Sequence, residues 1–535
     1  MPPRPAELTR AAIELDQPAR RVVMCVVCFA LMLVTASMSA LNLALPDIGL
    51  DLSASLSSLT WIVDSYTVAL AGLVLPLGAL GDRVGRRVVL IFGTVVFGGA
   101  ALAAAESSST TALIVWRAVM GLGAAMMMPQ TLATITAVFP PGRRGKAVAI
   151  WSGCAAAGSI LGMLASGGLL ELFSWRSIFV AGGFAAGATV LATALRVPES
   201  RDTAAPRFDG AGAVCTALAP GALVYALIAG SDEGWRTPPV IVALAVALVA
   251  GTAYVLVGLR TSKPLLDPRL FRIRDFSSGS VALTVQFMVL FGFYFVGLQY
   301  LRLILGYGPL KSAVALVPVA LVVVPISLAV PVLVQRIGMR AVLVSGLALL
   351  GSGLVVLSML TAASGYLPFL GSLVLAGFGI GLTGTTGTSA ITDSLPDGQQ
   401  GVASAVNDAT REVGAAIGIA LMGSVFGSAY RSALTVNLDQ LPDAAEAVRG
   451  SPVAGLQVAE RLGPQGAALA DDVRDAFMSG MSAAVVAVAV VTGAAVCYLA
   501  TGRTPRTSSQ AAPGSCPGDE AGDPAKSPPA HSRRR

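Results

Sequence analysis

The ten residues Gly78-Ala-Leu-Gly-Asp-Arg-Val-Gly-Arg-Arg87 carry Asp82, Arg83, Arg86 and Arg87, and they join two runs, 60–80 and 88–105, that are apolar almost throughout. About 20 apolar residues cross a bilayer as a helix. The charged stretch is therefore the short connection between two spans, and the fold follows from extending that reading in both directions. Apolar runs recur centred on residues 22–44, 60–80, 88–105, 111–132, 147–170, 177–195, 211–230, 239–259, 279–301, 312–334, 341–361, 367–390, 401–428 and 480–500, which makes fourteen. Composition agrees: of 535 residues 55% are hydrophobic and 12% charged, with mean hydropathy +0.75, against about 25% charged in a soluble domain. The chain reads as all-α and polytopic, with lipid as its solvent.

Charge sets the orientation. One set of loops holds Arg20 and Arg21, Arg83, Arg86 and Arg87, Arg143, Arg144 and Lys146, a group at 196–207, another at 260–274, Arg336 and Arg340, and the tail. The opposite loops hold few basic residues, half of them in one long loop that the positive-inside rule discounts. Both termini are expected in the cytoplasm of a cell whose cytoplasmic membrane the chain crosses. Dropping or adding one span would scramble this alternation, and a count of twelve is the main rival. The net charge of +6 is spread between apolar runs rather than gathered on one domain, which argues against a nucleic-acid partner. Five of the six cysteines lie in apolar runs and only one histidine occurs, so neither a disulfide framework nor a metal site is expected. Gly379, Gly381 and Gly384 fit a dinucleotide fingerprint by letter, but without a strand before them they read as helix packing. No GxxxxGK[ST] is present, so no nucleotide cofactor is expected and an ion gradient must drive any transport.

The stretch has a faded copy. PVLVQRIGMR at 331–340 keeps Leu, Arg, Gly and Arg in the register of 78–87, and Gly121 and Gly123 in span 4 are echoed by Gly377 and Gly379 in span 12. Spans 1–6 and 9–14 read as duplicated six-helix bundles around a midplane cavity, with alternating access by rocking one on the other. The expected organisation is a tail over 1–21, an N-terminal bundle over 22–200 and two extra spans within 201–278. A C-terminal bundle over 279–500, with an external loop at 429–478, and a disordered tail over 501–535 complete it.

Ionisable residues inside spans are functional candidates by default. Asp64 shares a helical face with Trp61, Ser65 and Val68 in span 2, and is read as a site for a substrate cation or a proton. In the loop, Gly78 and Gly85 allow close backbone approach, Asp82 can accept from the start of span 3, and the arginines can fork onto carboxylates or phosphates. Such a cluster can latch one conformation. Asp408, Arg411 and Glu412 fall on adjacent turns near the cytoplasmic end of span 13.

These residues carry a resemblance. Gly78, Leu80, Asp82, Arg83, Gly85, Arg86 and Arg87 are similar to the signature loop of the major facilitator superfamily. Span 4 resembles its second motif through Leu113, Arg117, Gly121, Gly123, Ala124 and Ala125, with Met120 in place of a polar residue. Asn42-Leu-Ala-Leu-Pro46, Trp61 to Tyr66 and Ser174 to Phe179 resemble its fourteen-span drug/proton antiporter branch. The resemblance implies a proton-coupling role for Arg117, places Asn42 and Trp61 near the cavity, and packs span 13 near the signature loop, so that Arg411 or Asp408 is expected to gate by pairing with Asp82 or Arg86 in the outward-facing state and releasing in the other. There are departures: the acidic residue five positions before Asn42 is Ser37, so protons must use another carboxylate, and the span-5 antiporter motif keeps Gly158, Gly162 and Gly167 but has Met163 where proline is usual.

The expected function is proton-driven efflux of amphipathic toxic small molecules such as antibiotics, dyes or cationic drugs, with protons and the lipid bilayer as the other partners. The alternatives are a dedicated exporter of one endogenous metabolite, and an embedded non-transport protein. An embedded enzyme needs clustered His, Asp or Glu at a membrane face, which the spans lack.

Overall fold

A computed structural model describes residues 16–501 apart from 53, 55, 202–209, 233, 262–263, 265–266, 396–398 and 437–441. All of the expected tail at 501–535 except Thr501, which ends a helix, and most of that at 1–21 lie outside the described residues. The helices are α1 (Gln17–Asp51), α2 (Leu56–Val84), α3 (Arg86–Ala105), α4 (Thr110–Val138), α5 (Pro141–Leu172), α6 (Arg176–Arg196), α7 (Gly210–Asp232) and α8 (Pro238–Arg260). They continue with α9 (Arg274–Gln299), α10 (Pro309–Ile337), α11 (Met339–Ser358), α12 (Tyr366–Asp393), α13 (Gln400–Ala433), α14 (Pro442–Gly450), α15 (Pro452–Arg461) and α16 (Ala467–Thr501). Among the described residues fourteen helices are long and apolar enough to cross a membrane, α14 and α15 being the exceptions. This is a multi-pass membrane protein. Residues 429–478 are largely helical: α14, α15 and the first turns of α16 fold back so that Tyr430 donates to the Val448 carbonyl at 2.9 Å while Val448, Ala459 and Val473 are buried.

The duplication is visible in the packing. In the first half α1 packs on α5, and α4 packs on both α2 and α3; in the second α9 packs on α13, and α12 on both α10 and α11. Gly121 meets Tyr66 and Ala69 of α2, and its echo Gly377 meets Val319 and Val322 of α10; Gly123 meets Gly93 and Phe97 of α3, and its echo Gly379 meets Gly346 and Leu350 of α11. A side chain at any of these would collide with a neighbouring helix, so each echo marks an equivalent close crossing. Gly85 and Gly338, in matching register, take φ of 130° and 83° and start α3 and α11. Those values suit glycine, which has no Cβ to strain.

Two seams join the halves. α5 runs antiparallel to α10, with Gly145 near Pro331, Gly153 near Val324 and Gly167 near Leu310. α2 and α13 form the other, and here α7 is wedged in, Ala71, Val224, Ile228 and Ala416 sharing one buried cluster. The extra helix crosses closely enough that Gly72 and Gly221 face each other. α8 lies behind it with its apolar side chains outward, Leu248 and Val249 being 71% and 67% exposed, as lipid contact requires.

Candidate functional site

In the signature loop, Asp82 and Arg86 sit four residues apart on either side of the Gly85 turn, both 4% exposed. Arg86 donates to Asp82 Oδ1 through Nε at 3.0 Å and Nη2 at 2.6 Å, and through Nη1 to the Ala133 carbonyl of α4 at 3.5 Å. The other oxygen, Asp82 Oδ2, accepts the backbone N–H of Val402 at 3.2 Å. Val402 lies in the first turn of α13, whose unsatisfied amides and dipole favour an anion. The loop therefore crosses from one half to the other through Asp82. Asp82 thus accepts both from the side chain of Arg86, the first residue of α3, and from the start of α13. At the start of α3 the anion is Glu199, which accepts from the N–H groups of Arg87 and Val88 at 3.2 and 3.3 Å. Arg87 turns instead to the Ala194 carbonyl at the end of α6. Gly78 and Arg83 lie in the last turns of α2, Arg83 exposed.

The pairing of Arg411 or Asp408 with Asp82 or Arg86 is not made. Arg411 pairs with Asp408 at 3.6 Å, and both lie too deep for the loop: Arg411 is eleven residues into α13, about 17 Å along the helix. Instead Arg411 and Glu412 help to wall a narrow cavity between the halves. α1, α4 and α5 contribute Thr35, Met128 and Trp151 to it; α9, α10 and α12 contribute Gln286, Phe287, Tyr294, Ser327 and Thr388. The Arg411 guanidinium lies 4.5 Å from the ring centroid of Phe287 and 5.4 Å from that of Trp151, one aromatic from each half. Behind it runs a buried chain: Thr388 donates to Asn407 Oδ1 at 2.9 Å, and Asn407 to Asp408 Oδ1 at 3.2 Å. Glu412 is 3% exposed and its Oε2 has no hydrogen-bond partner. A carboxyl oxygen so placed suits a proton or a cation. Trp151, Gln286 and Phe287 carried no motif; the available signal was a polar or indole group inside an apolar run.

The other candidates gather in the N-terminal half, outside that cavity. Arg117 is 1% exposed, donates to the Ile62 carbonyl at 3.0 Å and Ser37 Oγ at 3.3 Å, and lies 4.4 Å from the Tyr66 ring centroid. Asp64, half-buried on α2, acts on it electrostatically. Ser37, at the position where the resembled branch carries an acid, thus reaches Arg117 without a charge. The Trp61 ring lies 5.2 Å from that of Tyr225 of α7, tilted by 31°, so it faces the wedge helix. Asn42 lies in α1 with its side chain outside the described part. Gly158 and Gly162 are in close contact with Met32, Thr35 and Ala36 of α1, and Gly167 faces Leu310 of α10.

Comparison with known proteins matches the sequence model of the Major Facilitator Superfamily to residues 27–419. The chain is 33% identical over 483 residues to the multidrug efflux pump LfrA of Mycolicibacterium smegmatis, covering 89% of this chain and 95% of that protein. It is 31% identical to the methyl viologen resistance protein SmvA of Salmonella typhimurium, covering 83% and 90%, and 29% identical to the tetracenomycin C resistance and export protein of Streptomyces glaucescens, covering 88% and 90%. Among solved structures, the human organic anion transporter MFSD10 superposes with a TM-score of 0.61 at 16% identity, covering 90% of this chain and all of that one. A bacterial homologue of the lysosomal transporter Spinster, inward-facing and unoccupied, gives 0.59 at 15% identity, covering 91% and 98%.

Proposed function

This chain belongs to the major facilitator superfamily, and from that premise we propose that it exports amphipathic toxic small molecules across the cytoplasmic membrane in exchange for protons, with both termini in the cytoplasm. The observation that carries this reading is the cavity between the halves, where aromatic and thioether walls meet Arg411 and Glu412. Trp151, Phe287 and Tyr294 supply apolar faces that accept many flat or cationic shapes without demanding one hydrogen-bond pattern. Glu412 supplies the exchangeable charge. When protonated it sits in the wall at low cost; when ionised it holds a cation, so a proton from outside and a cationic substrate from inside compete for one carboxyl. Asp408 balances Arg411 and keeps the guanidinium from claiming Glu412 outright.

The Asp82 contact with Val402 supports the other half of the cycle. It ties the loop ends of α2 and α13 together, a latch that closes the cavity on the cytoplasmic side and must open for substrate to enter. The names of the relatives, which include drug resistance and export proteins, agree with the outward direction. The test is efflux of a cationic dye, followed as uptake into everted vesicles under an imposed pH gradient. The parent should concentrate the dye and Glu412→Gln should not; uptake by Glu412→Gln at the parent rate and with the parent's gradient dependence would overturn the scheme. A panel of unrelated compounds decides breadth, since transport of a single compound alone points to a dedicated exporter.

A further inference from the structure

Three sulfur atoms from distant parts of the sequence meet between α1 and α5. The two helices run side by side in register: Ser166 donates to the Ala40 carbonyl at 2.7 Å, Gly162 meets Ala36, and Gly158 meets Met32. Each step is four residues on both helices, or about one turn. One turn further towards the two N-termini, the same register sets Cys154 against Cys28, and these thiols share a hydrogen bond. Cys28 also donates to Met24 Sδ, one turn back on α1, at 3.6 Å. Glycine closes the helices at the neighbouring crossings, where a Cβ on Gly162 would stand 2.5 Å from the Ala36 Cα; at this one the facing side chains are sulfur. Met24 and Cys28 are buried, Cys154 is half-buried, and the two cysteines are not bridged. None of the three lines the cavity between the halves.

Thiolate and thioether together are the donors that a soft metal selects, copper(I) above all. Three sulfurs about 4 Å apart surround a point about 2.3 Å from each, the usual metal–sulfur bond length. The Met24–Cys28 pair therefore needs to open by only about 0.4 Å, which an unbranched methionine allows. Zinc would want four nitrogen, oxygen or sulfur donors, and among the described residues no group of three His, Cys, Asp or Glu is placed to hold a metal. Charge favours the monovalent ion as well. A thiol that takes the metal gives up its proton, so copper(I) on one thiolate, one thiol and one thioether is neutral and avoids the cost of an ion inside a membrane. Cys25 is exposed on the outside of α1. We infer that Met24, Cys28 and Cys154 form a trigonal copper(I) site between α1 and α5, the metal replacing one thiol proton, which passes to water.

The experiment titrates the full chain, purified in detergent under argon, with copper(I) against the chromophoric copper(I) chelator bicinchoninate. The parent should take one ion per chain from the chelator, and X-ray absorption of that complex should show sulfur neighbours alone, at about 2.3 Å. Cys28→Ser and Cys154→Ser should each weaken binding by more than about tenfold, the least that losing even an outer ligand costs. Met24→Leu should weaken it measurably, and Cys25→Ser should bind as the parent does. Parent-like binding by Cys28→Ser, Cys154→Ser or Met24→Leu would overturn the inference. So would loss of binding in Cys25→Ser, which would move the metal to the Cys25 and Cys28 pair. The absorption measurement needs no substitution, so it decides even where a variant fails to fold: nitrogen or oxygen neighbours would overturn the site. Because binding is read without transport, its failure leaves the efflux reading standing, and failed efflux leaves the binding result standing.

Discussion

Arg87 and Arg340, at the last position of the two matching ten-residue stretches, make the same contact in their own halves. Arg87 donates to the Ala194 carbonyl at the end of α6, and Arg340 donates through Nε to the Leu499 carbonyl at the end of α16, at 2.7 Å. Each arginine therefore satisfies a terminal carbonyl and opposes the negative end of the sixth spanning helix of its half. Removing either should cost about 1.5–3 kcal/mol, the usual worth of a charged hydrogen bond. Because they belong to different halves, the losses in Arg87→Ala and Arg340→Ala should add to within about 0.5 kcal/mol in the double variant. Unfolding in mild detergent measures this, and a strongly sub-additive pair would mean that the two caps share a partner.

The Asp82 carboxylate serves Arg86 and Val402 at once. Asp82→Ala leaves the buried Arg86 uncompensated, at a cost of about 3–5 kcal/mol, and frees α13. Asp82→Asn retains an acceptor for Val402 and should cost less. A cysteine placed in the central cavity should react faster with a cytoplasmic thiol reagent in Asp82→Ala than in the parent; equal rates in both would remove Asp82 from the gate.

Gly85 and Gly338 begin α3 and α11 at φ of 130° and 83°. An alanine at either should destabilise by about 1–2 kcal/mol from backbone strain. Gly85→Ala should do worse, since a Cβ there also meets the carboxylate of Glu199. Thermal melting of the two variants ranks them, and equal losses would assign the effect to φ alone.

Asp51, beyond the apolar part of α1, is held below the usual aspartate range, first by the hydrogen bond from Arg176, at 2.6 Å, and then by that from Trp175. A lowered carboxyl contributes stability that is fully present above its ordinary pKa, near 3.8, and is lost as the pH falls through the lowered value. The melting temperature of Asp51→Asn should therefore lie below the parent's by a constant amount from pH 5 to 8, and the two should converge under acid conditions. A gap that persists unchanged in strong acid would assign the effect to packing.

Much of the fold was legible because a membrane imposes length and sign on its helices. The fourteen spans could be counted from runs of apolar residues, and the halves from the register of two short stretches, since a duplicated loop keeps the glycine and the arginine that its geometry needs. Residues 429–478 were less legible: α14 and α15 are too short and too polar to register as spans, and their helicity depends on packing against Tyr430 and Val473. The candidate site was the least legible part. Asp64 and Trp61 have the right chemistry, but whether they face the cavity depends on helix rotation, which α7 decides by taking the face that Trp61 presents.

The sequence by itself determined a fourteen-span membrane protein of duplicated halves, because hydropathy, charge sign and loop register are properties of the chain read in order. Only the tertiary structure decided who meets whom. Asp82 met the N-terminus of α13 as well as Arg86, Glu412 came to the wall of the central cavity, and Arg117 turned to Ile62 and Ser37. Those outcomes turn on how helices far apart in sequence rotate and cross, and small-residue contacts such as Gly72 with Gly221 fix that only when all the spans pack together.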